Sequence, residues 1–256
     1  MQWVARLETA LDEHRFRLYA QRIEPCNGVS SGLQFEVLLR LVDADGGITA
    51  PSAFFPAAER FNMASRLDRW VVREVIDWLV AQPIEAIQTV AVNLSGQSIG
   101  DRSFHRYLIE QVARVPRPDR LCFEITETAA IRHVEDAQNF ITAMHALGVR
   151  IALDDFGEGV ASFGYLKTLR VDLLKIAGQF VRDILRDRLD HTAVCCFRDI
   201  AAACGLRTVA ECVETEEVLA ELRRIGIDFV QGYLLHKPEP LELVTKELLI
   251  PAQAQP

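Results

Sequence analysis

The strongest constraint on this chain is an alternation: short β-type runs and amphipathic helical segments follow one another along most of its 256 residues. Reading for period-two patterns and short apolar runs gives roughly eight strand candidates: RLYAQRI, LQFEVLLRL, TVAVNLS, LCFEITE, VRIALDD, DLLKI, RTVAE and DFVQGY. From the third run onward, helical segments separate them. Ser65 to Ala81 carries Leu67, Trp70, Val71, Val75 and Trp78 at helical spacing, with Glu74 the polar intruder on that face. Phe104 to Val112, Ala137 to Leu147, Thr192 to Cys204 and Glu216 to Ile225 each present one apolar stripe. This alternation predicts an α/β fold, a parallel sheet with crossover helices. About eight strands in this length fit a closed (β/α)8 TIM-type barrel better than an open doubly wound sheet. Pro25-Cys26-Asn27-Gly28 and Ser30-Ser31-Gly32 leave no room for a helix between the first two runs. Those two are therefore predicted to pair as an antiparallel hairpin. A single domain over residues 1–250 is expected, with a polar tail at 251–256.

Composition narrows the function classes. Half of the residues are hydrophobic and a quarter charged, which excludes disorder and collagen-like structure. A chain this long buries roughly three quarters of its unfolded surface and needs no disulfide or metal staples. The net charge of -8 argues against a grip on duplex nucleic acid or an anionic membrane, and a phosphate-bearing ligand would need a metal to meet it. The N-terminal stretch MQWVARLETALDEHRFRLYAQ offers neither a signal-peptide core nor a membrane span, so a cytoplasmic domain is expected. Cys26, Cys122, Cys195, Cys196, Cys204 and Cys212 show no C-x-x-C spacing and read as reduced core residues, the Cys195-Cys196 pair included.

Chemistry concentrates at strand ends. Glu36 lies in the second run, Asn93 near the end of the third, Glu124 in the fourth, and Asp154 with Asp155 at the end of the fifth. Lys175 lies near the end of the sixth, Glu211 ends the seventh, and Gln231 sits near the end of the eighth. Polar groups that end successive barrel strands converge on one mouth. Five carboxylates there repel one another unless protons or cations intervene. Two divalent ions together with Lys175 balance them. Oxygen ligands, with no Cys cluster and no His pair at ligand spacing, select hard ions: Mg2+ or Mn2+. The histidines His14, His105, His133, His145, His191 and His236 read as surface or helix-end residues. A two-metal site suits in-line displacement at phosphorus.

Neighbouring segments refine this reading. Adjacent strand residues point to opposite faces, so the strand must end at Asp154-Asp155 if both carboxylates bind metal. Gly157 and Gly159 supply a turn there and read first as a flexible loop. Glu127 differs in parity from Glu124, so it either braces a neighbouring loop or faces solvent at a helix start. Asp43-Ala44-Asp45-Gly46 fails as a calcium loop, because its glycine comes too early, and is expected to be a turn.

These motifs resemble the EAL-domain family of cyclic di-GMP phosphodiesterases, over about Leu18 to Pro240. The signature appears as Glu36-Val37-Leu38 in FEVLLR, with Val in place of the usual Ala. Asn93 in VNLS, Glu124 and Glu127 in FEITET, Asp154-Asp155 in DDFG, Lys175 in LKI, Glu211 and Glu214 in AECVE, and Gln231 in QGY follow in order. The resemblance implies a barrel with an antiparallel first strand and hydrolysis of cyclic di-GMP to linear pGpG. It implies that Glu36, Asn93, Glu124 and Asp154 hold one Mg2+ or Mn2+, and that Asp154, Asp155 and Glu211 hold the second. Glu36, Lys175 and Glu211 are then the catalytic set, with Lys175 orienting or activating the attacking water. Gln231, Arg40 and Gln21 would contact guanine or phosphate, and Glu127 and Glu214 would support the loops. A homodimer and a sensory or GGDEF domain in a longer chain are also implied. Departures from the family pattern are Arg22 for Pro, Glu158 for Thr, Ala161 for Ser, Ala177 for Asp and Cys212 for Gly, and none removes a metal ligand. The alternatives are a receptor that binds cyclic di-GMP without cutting it, and a barrel enzyme acting on another phosphodiester.

Overall fold

The computed structural model describes residues 2–28, 32–82, 87–159 and 163–245. The helix α1 (Gln2–Asp12) leads into β1 (Phe16–Arg22) and β2 (Glu24–Pro25), and β3 (Leu33–Val42) and β4 (Ile48–Thr49) follow. Next come α2 (Pro51–Arg60), α3 (Ala64–Ala81), β5 (Ile87–Leu94), α4 (Gly96–Gly100) and α5 (Arg102–Val112). The unit then repeats through β6 (Leu121–Thr126), α6 (Glu127–Arg132), α7 (Val134–Ala146), β7 (Arg150–Phe156), β8 (Leu173–Ile176) and α8 (Gly178–Arg182). The chain finishes with α9 (Arg188–Cys204), β9 (Arg207–Ala210), α10 (Glu216–Ile225), β10 (Phe229–Val230), β11 (Glu239–Pro240) and α11 (Leu241–Val244). All eight predicted strands are present. The five predicted helices appear with ends shifted by a few residues.

The sheet curls into the predicted TIM-type barrel. Its order runs β1-β3-β5-β6-β7-β8-β9-β10, parallel from β3 onward. β1 is the antiparallel exception, paired with β3 from Phe16↔Leu41 to Arg22↔Phe35 as the short intervening loop requires. Its continuation β2 pairs antiparallel with β10, so one stretch of chain meets both ends of the sheet and closes the ring. β11 lies against β1, and among the described residues no helix is long and apolar enough to cross a membrane.

Two apolar regions follow from the barrel. The larger lies between strands and helices, where Phe35 meets Trp78 edge-on with centroids 5.8 Å apart. The smaller consists of Ile23, Ala91, Cys122, Ala152, Leu173, Val209 and Phe229. Its members stand two positions before Asn93, Glu124, Asp154, Lys175, Glu211 and Gln231 on their strands, and Ile23 stands two after Gln21 on the reversed first strand. Side chains two apart share a face of the sheet. An apolar floor therefore underlies the polar groups at the mouth.

Two expectations need correction. β7 does not end at Asp154-Asp155 but runs to Phe156, with a register shift against β8 between Leu153 and Phe156. Asp155 takes a left-handed φ of 54° there, so a bulge rather than a strand end lets neighbouring carboxylates share one side. The cysteines are all free, but only Cys26 and Cys122 are buried, while Cys196 and Cys204 are exposed. A helix bearing one apolar stripe turns its remaining residues to solvent, and TAVCCF straddles that boundary. Asp43 to Gly46 is the expected turn, with Gly46 N donating to Asp43 O at 2.9 Å.

A buried carboxylate secures the connection after β5. Asp68 on α3 is 3% exposed, and its Oδ2 accepts from Ser95 N at 2.9 Å, Ser95 Oγ at 2.6 Å and Ser98 Oγ at 2.6 Å. Burial outweighs these hydrogen bonds and pushes its pKa up from 3.8 to about 6. The folded state thus favours the protonated form. That contribution is fully present below about pH 3.8 and is lost as pH rises through 6. Asp68→Asn keeps an accepting oxygen and cannot ionise, so its stability relative to wild type should improve from pH 4 to pH 7.5. The upper bound is on the order of 3 kcal/mol. Urea melts at the two pH values measure it, and a pH-independent difference would contradict the assignment.

Candidate active site

The barrel mouth is organised around one ammonium. Lys175 is 1% exposed, and its Nζ lies 2.7 Å from Glu124 Oε2, 2.8 Å from Glu211 Oε1, 3.0 Å from Asp154 Oδ1 and 3.4 Å from Glu36 Oε2. Burial alone would lower the Lys175 pKa, but the surrounding carboxylates raise it well above its ordinary value. Three N–H bonds cannot serve four carboxylates. Asp154 Oδ1 is the one left over: it is near enough for attraction but has no hydrogen bond.

Each neighbour comes from its own strand. Glu36 faces the mouth from β3, opposite Gln21 on β1, and its Oε1 accepts from Asn93 Nδ2 at 2.5 Å. Gln231 Nε2 donates to Glu36 Oε2 at 2.7 Å and to Gln21 Oε1 at 3.2 Å. Burial raises the Glu36 pKa, but the Lys175 charge and the bonds from Gln231 and Asn93 outweigh it and hold the carboxyl low. Glu124 goes the other way: burial, with Glu36 and Asp154 beside it, carries it well above its ordinary value despite Lys175. Glu211 is pushed up to about 8 and Asp155 to about 6, in both cases by burial first. Asp154 and Glu36 add like charge around both.

These pressures fit cations. Ligand oxygens of Asp154, Asp155 and Glu211 lie within 4.8 Å of one another. With the unbonded Asp154 Oδ1 and an all-oxygen donor set, they suit hard divalent ions. Asn93 is exposed at the mouth, and Arg40 sits on the same face of β3 as Glu36, half-buried with its guanidinium 5.6 Å from the Tyr19 ring centroid. The structure thus brings Glu36, Asn93, Glu124, Asp154, Asp155, Lys175, Glu211, Gln21 and Gln231 together. Glu214 is different, standing exposed on the loop after β9.

The loop after β7 is pinned through Gly159, contrary to the expectation of a flexible loop. Glu127 begins α6, is 3% exposed, and accepts from Gly157 N at 2.9 Å, Gly159 N at 3.2 Å and Tyr165 Oη at 2.5 Å. A Cβ at Gly157 would stand 2.6 Å from Phe180, and one at Gly159 2.8 Å from Glu127 Cδ, so close approach demands both glycines. Among the departures, Glu158 is exposed beside Asp155 and adds to the upward push on its pKa. Cys212 holds φ at 56°, a left-handed conformation, with its Sγ against Gly178. Ala161 lies outside the described residues.

Sequence reading missed three supports. Asp68 fixes Ser95, two residues beyond Asn93. His236 accepts from Arg22 N at Nδ1 over 3.3 Å, and its carbonyl accepts from Gln21 Nε2 at 3.0 Å. Tyr165 closes the Glu127 cage. Only Ser95-x-x-Ser98, a helix-capping spacing, carried a local signal.

Fold and site together define an α/β barrel with an acid-lined mouth. The EAL domain family model matches residues 4–238, and the chain belongs to that family. It is 37% identical over 241 residues to "Cyclic di-GMP phosphodiesterase PdeB" of Shewanella oneidensis, covering 93% of this chain and 28% of that protein. It is 35% identical over 238 residues to "Cyclic di-GMP phosphodiesterase PdeF" of Escherichia coli, covering 92% of this chain and 32% of that protein. The chain thus spans about a third of the length of these relatives. Among solved structures it is similar to the PaMucR phosphodiesterase in its c-di-GMP complex, with TM-score 0.85, 31% identity, and coverage of 94% of this chain and 99% of that one. It is also similar to the FimX EAL domain from Pseudomonas aeruginosa bound to c-di-GMP, with TM-score 0.85, 30% identity, and coverage of 93% and 97%.

Removing the Glu127 cage has a readable effect. Glu127→Ala should leave two backbone N–H groups and the Tyr165 hydroxyl without their acceptor, costing about 1–3 kcal/mol. Amide exchange at Gly157 and Gly159 should accelerate ahead of the barrel strands. Unchanged exchange there would show that the carboxylate does not hold the loop.

Proposed function

We propose that this domain hydrolyses one phosphodiester bond of cyclic di-GMP to give linear pGpG. The observation that carries this reading is the ring of four carboxylates around the buried Lys175, beside the Asp154, Asp155 and Glu211 cluster. Glu36, Asn93, Glu124 and Asp154 would hold one Mg2+ or Mn2+, and Asp154, Asp155 and Glu211 the other. When bound, such ions supply positive charge that polarises the phosphodiester and eases deprotonation of water.

The chain's own residues supply the rest. Lys175 presents a fixed ammonium from a dry floor, and its charge orients the attacking water. Glu36 and Glu211 flank it and shape where that water sits. Gln231 Oε1 is buried without a hydrogen bond, which supports a role in accepting a donor from guanine, with Gln21 beside it and Arg40 reaching phosphate from the same wall. The relatives named as phosphodiesterases and the two complexes with c-di-GMP support the same substrate. A relative from Pseudomonas aeruginosa, 31% identical, is named "Bifunctional diguanylate cyclase/cyclic di-GMP phosphodiesterase MucR", which supports a GGDEF or sensory partner domain.

The test is incubation with cyclic di-GMP and Mg2+ or Mn2+, chromatography of the products, and a chelated control. Metal-dependent pGpG is expected. Binding without turnover would shift the reading to a receptor, and no binding would sink the ligand assignment. Glu36→Ala should abolish turnover, and Lys175→Ala should lower it roughly 100-fold or more. Near-wild-type rates in either would contradict the roles given to them. Mn2+ should also raise the thermal midpoint of wild type by linkage, about 2.7 kcal/mol of stabilisation at 100 times its dissociation constant. Asp154→Asn should lose most of that rise, and an equal rise in both would place the ion elsewhere.

A further inference from the structure

Outside the carboxylate cluster, α9 and α10 bring together a thiol, an imidazole and a carboxylate. His191 and Cys195 are four residues apart on α9 and share a face of that helix. Cys195 Sγ lies 3.8 Å from His191 Nδ1, and the other ring nitrogen, Nε2, lies 2.6 Å from Glu221 Oε1 on α10. Arg224 donates to both oxygens of Glu221, and this hydrogen bonding, foremost among several causes, holds the Glu221 carboxyl down at about 2. Glu221 is therefore an anion. Arg224 Nη2 also lies 3.2 Å from Nε2, but the shorter contact to an anion assigns the ring proton to Nε2. That leaves the Nδ1 lone pair facing the sulfur.

A nucleophile beside a base that a third group orients is the arrangement that activates thiols. The other five cysteines lack it. Burial pushes the Cys26 thiol up to about 11 and raises Cys122 and Cys212 as well. Cys196 and Cys204 are exposed, yet among the described residues Cys195 is the thiol hydrogen-bonded to an imidazole.

We propose that Cys195 is a modification site, an imidazole-activated thiol that forms a mixed disulfide with low-molecular-weight disulfides. The Sγ proton moves to His191 Nδ1 while a sulfur lone pair attacks one sulfur of the small disulfide. The S–S bond of the reagent breaks and its electron pair leaves with the departing sulfur, which takes the proton from the imidazolium. One new S–S bond at Cys195 and one free small thiol result, and the reagent is the only oxidant. The site shares no residue with the carboxylate cluster, so the proposal stands independently of the hydrolytic reading.

The test treats the reduced full chain with limiting oxidised glutathione and maps the adducts by peptide mass spectrometry over time. Cys195 should be modified before the more exposed Cys196 and Cys204. His191→Gln and Glu221→Gln should each slow Cys195 on the order of tenfold or more, with Cys196 unchanged as the internal reference. Modification of Cys196 or Cys204 ahead of Cys195 would overturn the proposal. So would an unaltered Cys195 rate in His191→Gln. New reactivity at buried Cys122 would reveal unfolding of the Glu221 variant, and His191→Gln then decides.

Discussion

Everything at the barrel mouth depends on a charge imbalance held in a dry place. Four carboxylates, all ionised, would leave three negative charges in excess over Lys175. Burying each ion costs several kcal/mol, and attraction offsets that only where partners match in number. Here they do not match. Glu36, bonded to Asn93 and Gln231 and attracted to Lys175, keeps its charge, whereas Glu124, Glu211 and Asp155 are driven toward protonation. Protons and divalent cations are the two available remedies, and only the second leaves every oxygen acting as a ligand. The barrel holds this unbalanced site in place, because its strands are hydrogen-bonded to their neighbours and packed against helices.

The imbalance arises from register. Moving two residues along a strand returns to the same face, so the apolar floor of Ala91, Cys122, Ala152, Leu173, Val209 and Phe229 and the polar ring above it are consecutive inward positions. The reversed first strand satisfies the same arrangement in the opposite direction, with Ile23 below and Gln21 above. A one-residue slip of any strand would turn its carboxylate into the helical layer and an apolar residue into the mouth. Fold specification and site assembly are therefore one constraint, since the alternation that closes the barrel also aims the ligands.

This explains what the sequence makes legible. Strands and helices were readable because each carries its own periodicity, and the convergence of Glu36, Glu124, Asp154, Lys175 and Glu211 followed from their positions at strand ends. The bulge at Asp155 was not, because left-handed backbone at an aspartate has no periodic signature. Nor were Asp68 and His236, whose partners Ser95 and Gln21 lie 27 residues away and on the opposite end of the chain respectively. Cys196 is exposed against the sequence expectation for a related reason: an apolar run shows that a helix is buried somewhere, and only packing decides which side.

Of the four left-handed non-glycine residues among the described residues, two sit beside the ligands. Asp155 and Cys212 both take left-handed conformations, and each directly follows a carboxylate of the cluster, Asp154 and Glu211. For a residue with a Cβ this costs roughly 1–2 kcal/mol. Close contacts keep the second of these turns in place. Gly232 packs so tightly on Val213 that an added Cβ would stand 2.1 Å from its carbonyl oxygen, and Val213 N donates to Gln231 O at 3.0 Å. The chain after Glu211 is thus locked to the chain carrying Gln231. Relaxing Cys212 to a β conformation would break that lock and turn Glu211 away from Lys175. The strained residue and the carboxylate before it are held by the same contact, so the left-handed turn persists even without the glycine that such a conformation favours.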